Sequence, residues 1–193
     1  MPMAATAPIH PDIERVLLDE GALRARIAEL ARQLSADYEG KDPVLIGILK
    51  GSVLFMSDLM RSLSVDHTVD FMCLSSYSGD SSTGVVRLVL DLRESIQGRD
   101  VLVVEDIIDT GLTLSYLRQN LLTRGPRSLE LCALLDKPEA RKVMISPKYS
   151  GFKIPNEFVV GYGLDFNEQY RHLPYIGVLK ASAAARKKNG GTL

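Results

Sequence analysis

Residues 101–114 read VLVVEDIIDTGLTL, a segment in which four apolar residues lead into two adjacent carboxylates and then a third. A continuous apolar run of this kind is typical of a strand buried on both faces, as in a parallel sheet covered by helices. The apolar spacing of residues 114–122 predicts a helix directly after it. The segment therefore predicts a strand, a polar loop and a helix in immediate succession.

The same alternation continues on both sides of this segment. One helix is predicted to begin after Asp19 as N-cap and to stop near Gly40, and a second covers residues 53–63. Besides residues 101–104, the predicted strands are 44–49, 69–74, 85–90, 129–135, 158–162 and 175–179. This order predicts an α/β fold with a mainly parallel central sheet flanked by helices. In such sheets ligands bind beyond the carboxyl ends of the strands.

The chain has 193 residues and neither a repeat nor a linker that would divide it. We expect a single domain over residues 1–193, with flexible ends at 1–10 and 181–193. The net charge of −1 argues against broad attraction to nucleic acid or to an anionic membrane. No secretory signal and no apolar run long enough to span a bilayer is present, so a cytoplasmic location is predicted.

Polar residues in the central segment match a sugar phosphate. A helix N-terminus preceded by Gly111 offers backbone N–H groups to a phosphate, and Thr110 and Thr113 add hydroxyl donors. Glu105 and Asp106 are acceptors suited to two sugar hydroxyls. Residue types alone also allow helix caps, magnesium ligands or the phospho-acceptor cluster of a receiver domain. A ribose 5-phosphate site is therefore one of several interpretations at this point.

The order of these residues narrows the choice. It resembles the phosphoribosyl-pyrophosphate motif of the type I phosphoribosyltransferases, and residues 104–111, VEDIIDTG, are similar to the hypoxanthine/guanine branch of that family. The resemblance runs from about Val16 to Leu179. It implies that family's fold, with a small hood formed by the N-terminal segment and about 151–175, and a flexible lid loop. Ser76 and Tyr77 resemble the lid.

The resemblance also implies roles for residues elsewhere in the chain. Lys50 and Gly51 match the pyrophosphate loop, and Arg171 matches an arginine near pyrophosphate. Lys137 would contact the 6-oxo group of a purine. Asp109 lies between the predicted diol acceptors and the phosphate loop, so we infer from its position that it accepts or orients a purine proton, and it is the candidate general base. The remaining matches are Phe158 stacking on the purine, Val159 offering backbone groups to its edge, and Asp165, with Glu105 and Asp106, as metal ligands.

The activity implied is purine salvage with Mg²⁺. The 5-phosphoribosyl group would pass from phosphoribosyl pyrophosphate to hypoxanthine, and to guanine as well, in a dimer or tetramer. Two alternatives are an RNA-binding regulator on the same fold and a xanthine-preferring enzyme. Leu112 stands where some relatives carry a basic residue, so we assign its side chain no role. The segments GxxxxGK[ST], GxGxxG and HExxH are absent from the sequence, which argues against other nucleotide and zinc chemistries.

Overall fold

A six-stranded sheet forms the centre of the computed structural model, which describes residues 8–76 and 86–188. Its strand order is β4-β3-β2-β5-β6-β7, and every neighbouring pair is parallel except β3 with β4. The strands are β2 (Val44–Leu49), β3 (Thr68–Ser76), β4 (Val86–Leu90), β5 (Asp100–Ile108), β6 (Ser128–Asp136) and β7 (Tyr149–Lys153). The predicted mainly parallel α/β sheet is confirmed.

Helices cover both faces of this sheet. The helices are α1 (Glu20–Asp37), α2 (Val53–Ser62) and α3 (Leu112–Leu122). Leu102 and Val104 of β5 belong to the same buried cluster as α1 and α2, whereas Val101 and Val103 belong to the cluster with α3. Because successive side chains of a strand point to opposite faces, a strand buried on both sides must be apolar throughout. This explains the uninterrupted apolar run.

The start of α1 follows from a side-chain cap. Oδ1 of Asp19 accepts a hydrogen bond of 2.7 Å from the backbone N–H of Ala22, which satisfies one of the unpaired donors of the first turn. The helix ends at Asp37, with Tyr38 as C-cap, three residues before the predicted stop at Gly40. The predicted N-cap is confirmed.

A second, three-stranded sheet has the order β1-β9-β8. Its strands are β1 (Ile13–Leu18), β8 (Val159–Val160) and β9 (Ile176–Leu179). This sheet joins the start of the chain to residues beyond 158, whereas residues 149–153 belong to the large sheet as β7. The hood expected from the N-terminal segment and about 151–175 stays a prediction; β1 and β8 of the small sheet fall within those segments, and β9 follows them.

Several element predictions need correction. Strands β1 and β7 were not predicted, and β8 has two residues instead of the five expected at 158–162. The tail predicted to be flexible from residue 181 begins with helix α4 (Ala181–Lys188), because Ala183 packs into the apolar cluster of the small sheet. The predicted lid residue Tyr77 lies outside the described residues, and Ser76 is the last residue of β3.

Five parallel strands end at one edge of the large sheet, and the loops after β2, β5 and β6 carry predicted site residues. The chain runs outward from β2 to β3 on one side and from β5 to β7 on the other, so the strand order reverses between β2 and β5. Such a reversal opens a crevice at the carboxyl ends of the strands, where ligands bind. In the part of the chain that the structure describes, no helix is long and apolar enough to cross a membrane.

Candidate active site

Strand β5 carries the two adjacent carboxylates farther into the sheet than the sequence predicted. The strand continues to Ile108, which pairs with Asp136 of β6, so Glu105 and Asp106 are strand residues. Their predicted position in the following loop is wrong, because the paired backbone of β6 extends alongside them. The loop proper begins at Asp109, with Thr110 and Gly111 before α3.

One oxygen of this carboxylate pair lacks a partner. Oε2 of Glu105 is enclosed by protein and accepts no hydrogen bond from the described residues. Burial, and then the charge of Asp106, raises the pKa of Glu105 well above its usual value. Burial likewise raises the pKa of Asp106 to about 6. Two weaker effects lower this pKa: the 2.7 Å hydrogen bond that Oδ1 accepts from the N–H of Ile107, and the positive charge of Arg171. A buried acceptor without a donor is costly, and a ligand hydroxyl would satisfy it.

The loop after β5 presents the start of α3. Gly111 is the N-cap residue with φ +80°, and it provides no side-chain cap. The N–H of Leu112 has only a long contact of 3.4 Å with Oγ1 of Thr110. The side chains of Leu112 and Thr113 are exposed. Unpaired N–H groups at a helix N-terminus suit an anion such as phosphate, with hydroxyl groups on either side.

The loop after β2 touches the carboxylates of β5 directly. The peptide bond between Leu49 and Lys50 is cis. A Cβ atom on Gly51 would collide with Oδ2 of Asp106, so glycine is required for this close approach. A Cβ atom on Gly163 would in turn collide with the carbonyl oxygen of Gly51. Gly51 thus packs against the side chain of Asp106 on one side and against the backbone of Gly163 on the other.

Four charged side chains form an ion-pair network beside this loop. Nζ of Lys50 lies 2.9 Å from Oε2 of Glu168. The guanidinium of Arg171 lies 2.9 Å from Oδ1 of Asp165 and 3.3 Å from Oε1 of Glu168, and it donates a 2.7 Å hydrogen bond to the carbonyl of Gly163. Lys50 first, and Arg171 second, lower the pKa of Glu168. The two cations predicted to lie near pyrophosphate are therefore joined by one carboxylate.

Lys137 and Asp109 lie together at the ends of β6 and β5. The distance from Nζ of Lys137 to Oδ2 of Asp109 is 3.8 Å. The backbone N–H of Lys137 also bonds to the carbonyl of Ile108 at 3.0 Å. Arg141 supports the same loop, since its guanidinium donates a 3.0 Å hydrogen bond to the carbonyl of Asp109 and pairs with the buried Asp136.

Two of the predicted base-binding residues, Phe158 and Val159, lie at the start of β8 in the small sheet. Phe158 is 54% exposed and meets Phe166 edge to face, with ring centroids 5.5 Å apart. The carbonyl of Phe158 accepts a hydrogen bond from the N–H of Leu179. Since hydrogen-bonded and non-hydrogen-bonded pairs alternate in an antiparallel ladder, Val159 turns its N–H and C=O away from β9, toward the open edge of the sheet. An exposed ring and a free strand edge are features that a flat heterocyclic base could use.

Three residues of this region were missed by sequence reasoning. They are Arg141, which contacts the Asp109 loop, Gly163, which contacts Gly51, and Glu168, which joins Lys50 to Arg171. The spacing of Gly161 and Gly163 was visible as a possible backbone approach. No local pattern identifies Glu168, because its partner Lys50 is 118 positions away.

The carboxylates fit a magnesium site in which water and substrate supply most of the ligands. Among residues 8–76 and 86–188 no group of three or more His, Cys, Asp or Glu side chains could hold a metal alone. Mg²⁺ usually takes one or two carboxylates and completes its shell with water and substrate oxygens. The partly exposed carboxylates of Asp165, Glu105 and Asp106 offer oxygen ligands of that type.

Comparison with known proteins identifies the family. The model of the phosphoribosyl transferase domain matches residues 16–167. The chain belongs to this family. The match spans the large sheet from β2 to β7 together with the loops that carry Lys50, Asp109, Lys137 and Asp165. The family resemblance found in the sequence is confirmed.

Individual relatives point to one branch of this phosphoribosyltransferase family. The chain is 52% identical to the hypoxanthine-guanine phosphoribosyltransferase of Mycobacterium avium, over 91% of each chain. It is 54% identical to the hypoxanthine phosphoribosyltransferase of Escherichia coli K12, over 84% of this chain and 93% of that protein. It also matches the bifunctional protein TilS/HprT of Listeria innocua at 51% identity, and there it spans only 27% of the relative's length.

Solved structures of the same branch share the fold. The Staphylococcus aureus hypoxanthine phosphoribosyltransferase superimposes with a TM-score of 0.87 at 51% identity, covering 90% of this chain and 95% of that one. The Trypanosoma cruzi hypoxanthine phosphoribosyl transferase gives 0.90 at 43% identity, covering 95% and 100%. The predicted fold is confirmed, as is the assignment to a transferase family.

Proposed function

We propose that the chain transfers the 5-phosphoribosyl group from phosphoribosyl pyrophosphate to hypoxanthine, and to guanine as well, releasing IMP or GMP and pyrophosphate. The observation that carries this proposal is Oε2 of Glu105, which is enclosed and has no hydrogen-bond partner among residues 8–76 and 86–188. An acceptor in this position is satisfied by a hydroxyl group of a ribose whose phosphate binds at the start of α3. The high identity to hypoxanthine phosphoribosyltransferases supports the same reaction.

The ribose 5-phosphate would be held from two directions. Glu105 and Asp106 accept from the sugar hydroxyls at the end of β5. Thr110, Gly111 and Thr113 surround the 5-phosphate with hydroxyl groups and the free N–H groups of the first turn of α3. Because Gly111 gives this turn no side-chain cap, the phosphate itself would take the position of the cap.

The diphosphate would lie by the Lys50–Gly51 loop and Arg171. Cleavage of the bond between ribose C1 and the diphosphate builds negative charge on the leaving group, and these two cations would stabilise it. Asp165, with the β5 carboxylates, would hold Mg²⁺, which when bound supplies further positive charge to the diphosphate oxygens. The exposure of Lys50 leaves room for an anion of this size.

The purine would occupy the space between the small sheet and the Asp109 loop. Phe158 stacks on its face, the open backbone edge of Val159 bonds to its edge, and the Lys137 ammonium donates to the 6-oxo group. Asp109 would accept the proton that leaves the ring nitrogen as the bond to ribose forms. Its carboxylate is half exposed and so remains accessible to a bound base.

The direct test is a spectrophotometric screen with phosphoribosyl pyrophosphate and Mg²⁺, using hypoxanthine, guanine, xanthine, adenine and uracil. Turnover of hypoxanthine and guanine, lost on chelation, is the expected result. A preference for xanthine would assign another specificity to the same site. RNA binding without turnover of any base would indicate that the protein is a regulator with the same fold and not an enzyme.

Assembly and location also belong to this proposal. We expect a homodimer or homotetramer, measurable by light scattering on a sizing column, and a cytoplasmic location. The Trypanosoma cruzi structure concerns the role of the C-terminal region on the oligomeric state of that enzyme. By analogy, truncation after Leu179 tests whether α4 affects assembly here. We also propose that residues 1–193 form a single domain, that Ser76 and Tyr77 belong to a lid, and that the protein binds no membrane.

A further inference from the structure

Glu168 joins the two cations that the proposed reaction needs for its leaving group. Its Oε2 lies 2.9 Å from Nζ of Lys50, and its Oε1 lies 3.3 Å from the guanidinium of Arg171. A carboxylate that bridges two cations through separate oxygens copies the way a diphosphate would engage them. The contact therefore occupies the leaving-group site with a group of the chain itself.

The loop around Glu168 is shaped to hold it there. Asn167, Glu168 and Tyr170 have φ values of 51°, 61° and 75°, and such positive values are uncommon for residues other than glycine. The N–H of Glu168 donates a 2.8 Å hydrogen bond to Oδ2 of Asp165. Backbone conformations of this kind persist only where the surroundings require them, and they concentrate at functional sites.

Glu168 is not needed to orient Arg171. The guanidinium is already bound to the carbonyl of Gly163 at 2.7 Å and to Asp165 at 2.9 Å. Lys50, in contrast, has no ion-pair partner other than Glu168 among the described residues. Both ends of that pair are about two-thirds exposed, so the pair can open when an anion arrives. If Glu168 served only to stabilise the loop, it would need neither the contact with Lys50 nor an exposed side chain.

We propose that the Glu168 carboxylate competes with the diphosphate for Lys50 and Arg171. It thereby weakens the binding of the diphosphate and helps pyrophosphate to leave. The inference rests on the proposed function of this site. Phosphoribosyl pyrophosphate and pyrophosphate must each displace the Glu168 carboxylate before they can contact both cations. The residue thus sets how tightly the leaving group is held, without taking part in the chemical step.

The test is Glu168→Gln, which preserves size and hydrogen bonding but removes the charge. Calorimetry with inorganic pyrophosphate and Mg²⁺ should show a dissociation constant about two- to ten-fold lower, the range expected for releasing one exposed and one partly buried ion pair. The KM for phosphoribosyl pyrophosphate and the inhibition constant of pyrophosphate should fall in parallel. An unchanged or higher dissociation constant overturns the proposal.

A matched control separates competition from net charge. Glu29→Gln removes the same charge from an exposed ion pair with Arg26 on α1, and it should leave pyrophosphate binding unchanged. In a Lys50→Met background the gain from Glu168→Gln should shrink, because one of the two contested cations is gone. An equal gain in both backgrounds, or a gain in Glu29→Gln, would attribute the effect to general electrostatics and overturn the proposal.

The two hypotheses fail in different ways. A wild-type protein that binds neither pyrophosphate nor phosphoribosyl pyrophosphate contradicts the proposed function. A wild-type protein that turns over hypoxanthine, while Glu168→Gln leaves pyrophosphate affinity unchanged, contradicts only the role of Glu168.

Discussion

The ammonium of Lys137 lies 3.8 Å from the carboxylate of Asp109, although the two residues belong to different loops. The Lys137 side chain is 7% exposed and the Asp109 side chain is 52% exposed. A buried cation is stable only with a partner, and here that partner also faces open space. The pair therefore joins a residue proposed to contact the purine with the residue proposed to receive its proton.

Replacement of Asp109 by Asn tests the proposed base. The amide keeps the size of the side chain but cannot accept a proton, so the rate of transfer should fall by roughly 10²–10⁴-fold. Binding of phosphoribosyl pyrophosphate should change little, because the substitution leaves the backbone carbonyl of residue 109 in place. The hydrogen bond from Arg141 to that carbonyl, which supports the loop, is therefore retained. Single-turnover kinetics measure the chemical step without interference from product release. A rate near that of the wild type would refute the assignment, and equal losses of rate and binding would indicate a structural role.

Replacement of Gly51 by Ala tests the contact between the β2 loop and β5. The added Cβ would collide with Oδ2 of Asp106 and push the Lys50 loop away from the site. A displacement of about 1 Å can cost roughly 10²-fold in kcat/KM. Steady-state kinetics with varied phosphoribosyl pyrophosphate measure the loss. Gly21→Ala, whose Cβ would lie 3.3 Å from Oδ1 of Asp19, is the control and should keep wild-type kinetics. Normal kinetics in Gly51→Ala would show that the loop tolerates the shift.

The raised pKa of Asp106 predicts a dependence of stability on pH. Its folded-state pKa is about 6, above the value of about 3.9 of an unfolded Asp. Between these values the folded chain binds more protons at this group than the unfolded chain does. The free energy of unfolding should therefore contain a contribution that decreases as pH rises from about 4 to about 6. Urea unfolding in the presence of a chelator, compared between wild type and Asp106→Asn, isolates it. Identical pH profiles in the two proteins would contradict the prediction.

Replacement of Phe158 by Ala tests base stacking. Since the ring is 54% exposed, its loss should affect stability little. Stacking of a base on an aromatic side chain contributes about 1–3 kcal/mol, so the KM for hypoxanthine should rise roughly 5- to 150-fold. The dissociation constant of pyrophosphate should stay the same. Val89→Ala, an exposed position on the antiparallel edge strand β4, provides the control. An unchanged KM for hypoxanthine in Phe158→Ala would exclude stacking at this residue.

Much of the fold could be predicted because its signals are local. The apolar run before Glu105 predicted the buried strand β5, and the cap at Asp19 predicted the start of α1. The missed strand β7, YSGFK, has a glycine at its centre and no β-branched residue. Its Tyr and Phe favour a strand, but the segment is too short and too interrupted to be predicted, and pairing with β6 makes it one. Predictions failed where pairing with a distant segment outweighed local preference.

The sequence alone determined the family, the alternating α/β order and the positions of the acidic, hydroxyl and basic residues proposed to form the site. Only the tertiary structure decided that Oε2 of Glu105 is enclosed without a partner in the described part of the chain, that Gly51 must lie against Asp106, and that Glu168 reaches Lys50. The physical reason is the range of the interactions. Strand and helix patterns depend on neighbours within a few residues, whereas these contacts join loops up to 118 positions apart, brought together by packing of two sheets that no local pattern encodes.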